Sequence, residues 1–190
     1  MKSVISLLFL LCGFTAGEEL QWTDFNEGHE SAKAQKKAAV IDFYTDWCKW
    51  CKVMDEKTYG DPSVKELLLN KFVTIKINPE RSTEAIRYDG KVLKPMELAG
   101  GLGVQGFPAT AFMGKDGKFI TLVPGYIPPE TFHLILKYMD DECYRMQMPL
   151  DEYQKNPVSC KPKKKKTAKP APPAGGGPAP QPSPVPGGGN

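Results

Sequence analysis

Two cysteines three positions apart, Cys48 and Cys51, have the most obvious capacity for chemistry in this sequence. A pair with this spacing can be a redox couple, half of a metal site or a structural disulfide. A redox couple needs one sulfur that attacks as a thiolate and a second sulfur that resolves the resulting mixed disulfide. Lys49 and Lys52 favour the thiolate by placing positive charge beside it.

The two alternatives to a redox couple find less support. A structural zinc site takes four ligands, usually as two such pairs, but Cys143 and Cys160 are 17 positions apart. We therefore expect no metal and no other cofactor. A structural disulfide is disfavoured because Trp47 precedes the motif and Trp50 lies within it. Their side chains give the motif an apolar rim that suits a protein substrate.

The segments around the cysteines predict a junction between a strand and a helix. Residues 39–45 form a β-branched and aromatic run of strand length, and good helix formers continue past the motif to Lys57. Cys48 therefore falls at a helix start, where unpaired backbone N–H groups and the helix dipole favour a negative sulfur. Cys51 lies one turn later, so its sulfur faces that of Cys48.

The rest of the body alternates between predicted helices and strands. The predicted elements are a helix over 27–37, the strand 39–45, helices from 48 and from 61, a strand over 72–77, a helix over 94–99, a hairpin of strands 109–113 and 119–123, and a helix from 128. Residues 79–94 are polar and stay unassigned. This order predicts an α/β fold, a mixed sheet with helices on both faces.

Four segments together resemble the thioredoxin superfamily. They are VIDFYTDWCKWCK (40–52), VTIKIN (73–78), GVQGFPATAFMGKDGK (103–118) and PGY (124–126). The resemblance covers roughly residues 20–140. In detail it is similar to the periplasmic thioredoxin-like branch that includes the C-terminal domain of the disulfide reductant DsbD and SoxW-type proteins. It implies a thioredoxin-like fold with a central mixed sheet flanked by helices.

The resemblance also implies roles for single residues at the exchange centre. Cys48 matches the nucleophile of the family and Cys51 its resolving cysteine. Pro108 matches a proline that follows a cis peptide bond and faces the active site. Phe107 would then offer its backbone groups to an extended substrate, alongside the tryptophan rim. From the residues alone, a proline at the start of a strand is the favoured interpretation of Pro108.

Two further matches concern proton transfer. Asp42 matches a buried carboxylate beneath the cysteines, which can take the proton that Cys51 gives up. Lys76 matches a lysine that can pair with this carboxylate. Each could instead point outward from its strand. Burial would raise the pKa of the carboxyl and pairing would lower it, so the net direction stays open at this point.

The sequence departs from the family in three places. A Lys-Trp dipeptide replaces Gly-Pro between the cysteines, so the direction of electron flow stays open. Residues 78–105 form a longer segment than usual, which can reshape the groove beside the proline. Cys143 and Cys160 have no counterpart, and we expect a structural disulfide between them in an oxidising compartment. Met146 and Met148 nearby also allow a copper site, although ordinary packing is favoured.

The two ends of the chain differ from its body. Residues 1–17 contain one basic residue, an apolar run and then small residues, which is typical of a cleaved signal peptide. Residues 161–190 are rich in lysine and then in proline and glycine, which predicts a disordered tail. Between them we predict a thioredoxin-like domain over 18–142 and an extension with the second cysteine pair over 143–160.

Charge argues against a nucleic-acid partner. Of the 25 basic residues, Lys2 and six tail lysines lie outside the predicted body, which leaves 18 against 22 acidic residues and a net charge of −4. The basic charge is thus concentrated in the tail, whose lysines can contact an anionic surface. A solvated, flexible extension is the alternative.

Together these features predict an exported, monomeric thiol-disulfide oxidoreductase that is periplasmic or otherwise extracytoplasmic and acts on protein disulfides or thiols. The favoured direction is reduction, with electrons from a membrane thiol-disulfide donor, as the resemblance implies. Two alternatives stay open. One is an oxidase or isomerase that uses the same residues, and the other is a non-catalytic binding module with a vestigial motif.

Overall fold

The computed structural model describes residues 19–157 and residue 160. The predicted signal peptide and the predicted tail, residues 161–190, lie outside the described residues. The helices are α1 (Phe25–Gln35), α2 (Lys49–Met54), α3 (Pro62–Lys71), α4 (Pro95–Gly101), α5 (Pro129–Asp140) and α6 (Leu150–Lys155). The strands are β1 (Ala38–Phe43), β2 (Phe72–Ile77), β3 (Ile86–Tyr88), β4 (Lys91–Leu93), β5 (Ala109–Met113) and β6 (Phe119–Pro124).

Four of the strands form a mixed sheet in the order β2-β1-β5-β6. The β1–β2 pair is parallel, and the β1–β5 and β5–β6 pairs are antiparallel. Helix α3 provides the crossover between the parallel strands, and a tight turn joins β5 to β6. The predicted fold class, a mixed sheet flanked by helices on both faces, is confirmed.

The central strand β1 is buried along its whole length because helices cover both faces of the sheet. Successive side chains of a strand point to opposite faces. Ile41 and Phe43 pack with the residues of α1 and α4 on one face. Val40 packs with the residues of α3 and α5 on the other face. Asp42, two positions after Val40, therefore points toward the α3 and α5 face.

Helix α1 begins two residues earlier than predicted and buries one face against the sheet. The prediction placed it over 27–37, but Asp24 caps the helix by accepting a hydrogen bond from the Glu27 N–H at 2.9 Å. The earlier start brings Phe25 into the core, and Ala32 is buried on the same side. The prediction started the helix too late because it rested on composition and did not include the Asp24 cap, which fixes where the first turn begins.

The helix that starts after Cys48 changes its geometry before it ends. Its α-helical part, α2, passes into a π-helical turn over Asp55–Tyr59. The following helix, α3, begins as predicted, with Asp61 accepting hydrogen bonds from the backbone N–H groups of Ser63 and Val64. Tyr59 is buried, so the π-helical turn belongs to the core and is not a frayed helix end.

The long segment between β2 and β5 folds into the β3–β4 hairpin and helix α4. It is fixed to α1 by Asn26, whose side-chain amide donates to the Ala85 carbonyl and accepts from the Arg87 N–H, both at 2.9 Å. Ile86 and Leu98 carry the segment into the core. These contacts give a polar stretch that had no predicted structure a defined place beside the sheet.

The chain continues past α5 through a 3-10 turn, Cys143–Met146, to helix α6. The Tyr138 hydroxyl of α5 donates to the Met148 carbonyl at 2.8 Å. Tyr153 of α6 is buried and donates to Asp141 Oδ2 at 2.6 Å. A disulfide joins Cys143 to Cys160.

Within residues 19–157, no helix combines the length and the apolar character needed to cross a membrane.

Removing this second disulfide should destabilise the fold without affecting exchange chemistry. Cys143→Ala/Cys160→Ala opens a loop of 17 residues. The lost constraint on the unfolded chain should lower the free energy of unfolding by about 3 kcal/mol. Urea titration of the oxidised protein measures this change, and the exchange rate at the first pair serves as the control. An unchanged unfolding midpoint, or a lost exchange rate, would contradict the prediction.

Candidate active site

The first cysteine pair is a disulfide placed at the start of α2. Cys48 immediately precedes the helix with an extended backbone, and its Sγ accepts a hydrogen bond from the Cys51 N–H at 3.1 Å. The Cα atoms of the two cysteines are 5.3 Å apart. After reduction, the same N–H group and the helix start would favour a thiolate on Cys48. The predicted placement of the motif at a helix start is confirmed.

Little of either cysteine reaches the surface. Cys48 is 3% exposed and Cys51 is 4% exposed. An attacking thiolate must nevertheless approach along the S–S bond of its substrate. The substrate therefore has to fit closely against the surface around Cys48. The site is therefore shaped for a partner that docks before exchange.

Polar contacts fix the loop between β1 and α2. The Cys48 N–H donates to the Thr45 carbonyl at 3.2 Å. Asp46 accepts a hydrogen bond from the Asn78 side chain at 3.2 Å and pairs with Arg81 at 2.6 Å. The loop that carries the motif is thus held against the residues that follow β2.

Two pairs of aromatic side chains stand beside the disulfide. Trp47 and Trp50 are 69% and 57% exposed. Trp47 lies edge-on to Phe107, with ring centroids 6.1 Å apart, and its Nε1–H donates to Glu80 Oε2 at 2.8 Å. Trp50 packs against Tyr126, with centroids 5.5 Å apart. We call Trp47, Trp50, Phe107 and Tyr126 the aromatic rim.

The aromatic rim rests on the edge of the sheet where β5 begins and β6 ends. The peptide bond between Phe107 and Pro108 is cis, and Pro108 is buried. The Pro108 carbonyl accepts a hydrogen bond from the Gly125 N–H at 2.8 Å. This bond holds the segment carrying Phe107 against the segment carrying Tyr126.

Asp42 is a buried carboxylate on the sheet face that α3 and α5 cover. It is 2% exposed, and its Oδ1 accepts no hydrogen bond from the described part of the chain. Its Oδ2 lies 3.5 Å from Lys76 Nζ, because Lys76 is its register partner on β2. Burial raises the pKa of the Asp42 carboxyl to about 6, against the opposing effect of the Lys76 charge. Burial is thus the larger of the two effects.

Lys76 is shared between two carboxylates. Its Nζ lies 2.5 Å from Asp55 Oδ1, closer than its distance to Asp42. The ammonium group also lies over the rings of Trp22 and Tyr44, at 5.1 and 4.9 Å from their centroids. These contacts keep a half-buried cation beside the carboxylate of Asp42.

The structure brings most of the predicted site residues together. The motif and its tryptophans lie where β1 leads into α2, with Phe107 beside Trp47 and with Asp42 and Lys76 on the adjacent strands β1 and β2. Cys143 and Cys160 do not belong to this group. Their turn pairs with the opposite end of the sheet, since Glu142 forms an ion pair with Lys115, just after β5. Among residues 19–157 and 160, no cluster of three or more His, Cys, Asp or Glu side chains could hold a metal ion.

Sequence reasoning missed three residues of the site. Asp55 lies four positions after Cys51, a spacing that puts both on one helix face and could have identified it. Tyr126 belongs to the PGY segment, but nothing local shows that its ring meets Trp50. Glu80 binds Trp47 from a polar stretch without periodicity, so its role depends entirely on the fold.

Comparison with known proteins is consistent with this geometry. A family model described as thioredoxin-like domain matches residues 25–140. The thiol:disulfide interchange protein DsbD of Pseudomonas fluorescens is 30% identical over 90 residues, which cover 47% of this chain but only 14% of the relative. The chain therefore corresponds to a small part of that protein.

Two solved structures share the fold. A thioredoxin-fold protein from Helicobacter pylori superposes with a TM-score of 0.54 at 23% identity, covering 64% of this chain and 80% of that one. A thioredoxin from Thermus thermophilus gives a TM-score of 0.51, also at 23% identity, covering 63% of this chain and 86% of that one. The thioredoxin-like fold expected from the sequence is confirmed.

The raised pKa of Asp42 predicts a pH-dependent gain in stability for Asp42→Asn. The native state holds the Asp42 proton up to about pH 6, whereas the unfolded chain releases it near the ordinary aspartate pKa of 3.8. Wild-type stability therefore falls as pH rises through this interval and stays lower above it. Asp42→Asn removes the penalty, so it should stabilise the protein by about 2–3 kcal/mol at pH 7.5 and by under about 1 kcal/mol at pH 4.

Urea titrations of the oxidised protein at both pH values measure this difference. Asp55→Asn is the matched control, because Asp55 shares the same lysine but is substantially exposed. It should change stability by less than about 1 kcal/mol at either pH. Equal effects of Asp42→Asn at pH 4 and pH 7.5 would show that the carboxyl is not perturbed.

Proposed function

We propose that this chain, which belongs to the thioredoxin-like domain family and is a thiol-disulfide oxidoreductase, acts outside the cytoplasm as a reductant of protein disulfides. The observation that carries the proposal is the Cys48–Cys51 disulfide at a helix start, with two exposed tryptophans beside Cys48 in the chain and the buried Asp42 on the strand that leads into the motif. The match over residues 25–140 and the similarity to thiol:disulfide interchange proteins support it.

The reaction is a two-step exchange that starts from the reduced pair. The Cys48 thiolate attacks one sulfur of a substrate disulfide, forming a mixed disulfide and releasing the other substrate sulfur as a thiolate, which takes up a proton. The Cys51 thiol then loses its proton to Asp42 and attacks Cys48 Sγ. The second substrate sulfur leaves and is protonated. Both electrons gained by the substrate come from the cysteine pair, which ends as the observed disulfide.

Asp42 also supports reduction as the direction. Above pH 6 it carries a negative charge within the protein interior. A second negative charge on a nearby thiolate is then less favourable, which destabilises the reduced, ionised form of the pair. Strongly oxidising pairs have the opposite property, since their reduced form is stabilised. A buried carboxylate near the pair therefore lowers its reduction potential.

A second direction, oxidation or isomerisation, is favoured by a different set of contacts. The Cys51 N–H bonded to Cys48 Sγ stabilises a thiolate at the helix start. Lys49 and Lys52 add positive charge to the same turn. These contacts raise the potential, whereas Asp42 lowers it, so the measured potential decides between the two directions.

Features of the sequence support a location outside the cytoplasm and a membrane protein as the source of electrons. The apolar N-terminal segment is consistent with export, and the resemblance to the DsbD branch supports a membrane thiol-disulfide protein as the donor. We keep the predicted monomeric state, the domain boundaries at residues 17, 142 and 160, and a contact of the lysine-rich tail with an anionic surface as parts of the proposal. The substrate is a protein disulfide and not a nucleic acid, and no metal or other cofactor takes part.

The reduction potential of the Cys48–Cys51 pair tests the direction. We expect a potential of about −270 mV, the value of thioredoxin, because the charge of Asp42 disfavours the thiolate. Equilibration with glutathione at pH 7, followed by mass spectrometry of the two redox forms, gives the potential. Asp42→Asn should shift it to a less negative value. A wild-type value near about −120 mV would instead identify a disulfide oxidase.

Trapping in the native compartment tests the exchange mechanism and identifies the substrate. Cys51→Ala removes the resolving sulfur, so mixed disulfides on Cys48 should accumulate and survive non-reducing electrophoresis. Cys48→Ala is the matched control and should give no adduct. If Cys48→Ala retained full exchange activity, the cysteine pair would not be the catalytic group, and a binding module would be the better description.

A further inference from the structure

Three acidic side chains close to the motif have partners within the chain. Asp46 pairs with Arg81. Glu80 accepts the hydrogen bond of Trp47 Nε1. Asp55 pairs with Lys76. A docked partner therefore meets carboxylates whose charge is already compensated or committed to a hydrogen bond.

The basic side chains at the same place are differently arranged. Lys49 and Lys52 lie in the first turns of α2, next to the two cysteines, and both are exposed. Neither forms an ion pair with any residue in the described ranges 19–157 and 160. The turn that carries the two cysteines therefore presents two exposed lysines without an ion pair among the described residues, although the predicted body carries a net charge of −4.

The aromatic rim has two separate parts. Trp47 and Phe107 form one pair and Trp50 and Tyr126 form the other. The tryptophans lie on either side of Cys48 in the chain, and each forms one of the two pairs. The exposed area of both tryptophans is unusual for a side chain of this size and is available to a partner.

We propose that the aromatic rim and the two lysines dock an extended segment of a partner protein in which apolar and acidic residues flank the reactive cysteine. The aromatic pairs cover the apolar side chains, and Lys49 and Lys52 pair with the acidic ones. This inference rests on the proposed function, since the docked segment carries the disulfide to be reduced. It adds a substrate class that neither the cysteine motif nor the fold defines.

Synthetic peptides with one cysteine joined to a coloured leaving thiol test the charge preference. Three peptides share the same apolar residues and carry Glu, Gln or Lys at the positions beside the cysteine. The reduced full chain attacks each peptide, and release of the coloured thiol gives the second-order rate constant. We expect the Glu peptide to react about 3- to 10-fold faster than the Gln peptide at low salt, with the difference shrinking at high salt.

The ratio of the Glu rate to the Gln rate isolates docking from reactivity, because both peptides meet the same thiolate. Lys49→Gln/Lys52→Gln should bring this ratio to within about twofold of one. Lys71→Gln/Lys137→Gln is the matched control, since these exposed lysines lie in the last turns of α3 and α5. It should keep the wild-type ratio.

The apolar half of the inference has its own measurement. Tyr126→Ala should slow exchange with a peptide that carries leucine beside the cysteine by about fivefold or more, because it removes one wall of the rim. Its rate with the corresponding glycine peptide should change less than about twofold. Equal losses with both peptides would mean that Tyr126 supports the motif and does not contact the substrate.

Different experimental outcomes would contradict this inference and the proposed function. If the wild-type chain reduces all three peptides through Cys48 at equal rates, the substrate class is wrong and the reductase stands. If it reduces no disulfide at all, both are wrong. Sedimentation at increasing concentration should show single chains, and a dimer that Trp50→Ala dissociates would mean that a second copy occupies the rim, which would overturn the inference.

Discussion

Asp42 is the one ionisable residue of the central strand β1, and much of the site follows from the need to bury it. A carboxylate inside a sheet covered on both faces is costly unless it is protonated or paired. Parallel pairing of β1 with β2 places Lys76 opposite it and provides a partial counter-charge. The lysine is itself held by Asp55 and by two aromatic rings, so it cannot fully compensate the buried charge. The carboxyl is left with an intermediate affinity for protons, which a proton acceptor near a thiol requires.

Two sets of charges act on the cysteine pair in opposite directions. The helix start and the lysines stabilise a thiolate on the surface side of the motif, where a substrate arrives. In the proposed exchange, the buried carboxylate of Asp42 takes up the proton of Cys51 when this second sulfur becomes a nucleophile. The attacking sulfur is thus activated before docking and the resolving sulfur only afterwards.

Local sequence was enough to predict the frame of this site but not its details. Strands β2 and β5 match the predicted residues. Strand β2 is a largely β-branched and aromatic run that ends before Asn78-Pro79, and the apolar run of β5 is bounded by Pro108 and Gly114. The helix start at Cys48 followed from the same reasoning. In contrast, β3 and β4 have three residues each and no alternating pattern, so their pairing depends on contacts with α1. The roles of Asp55, Glu80 and Tyr126 likewise arise from contacts across the fold, which no local pattern encodes.

The two disulfides divide the tasks of chemistry and stability between opposite ends of the sheet. Cys48 and Cys51 close a loop with a separation of only three residues, so opening that bond releases little chain entropy. Cys143 and Cys160 close a separation of 17 residues and tie the segment around α6 to the domain. A catalytic disulfide must open and close repeatedly without loosening the helix that carries it. Placing the longer cross-link far from the exchange centre lets the fold stay intact while the first pair cycles.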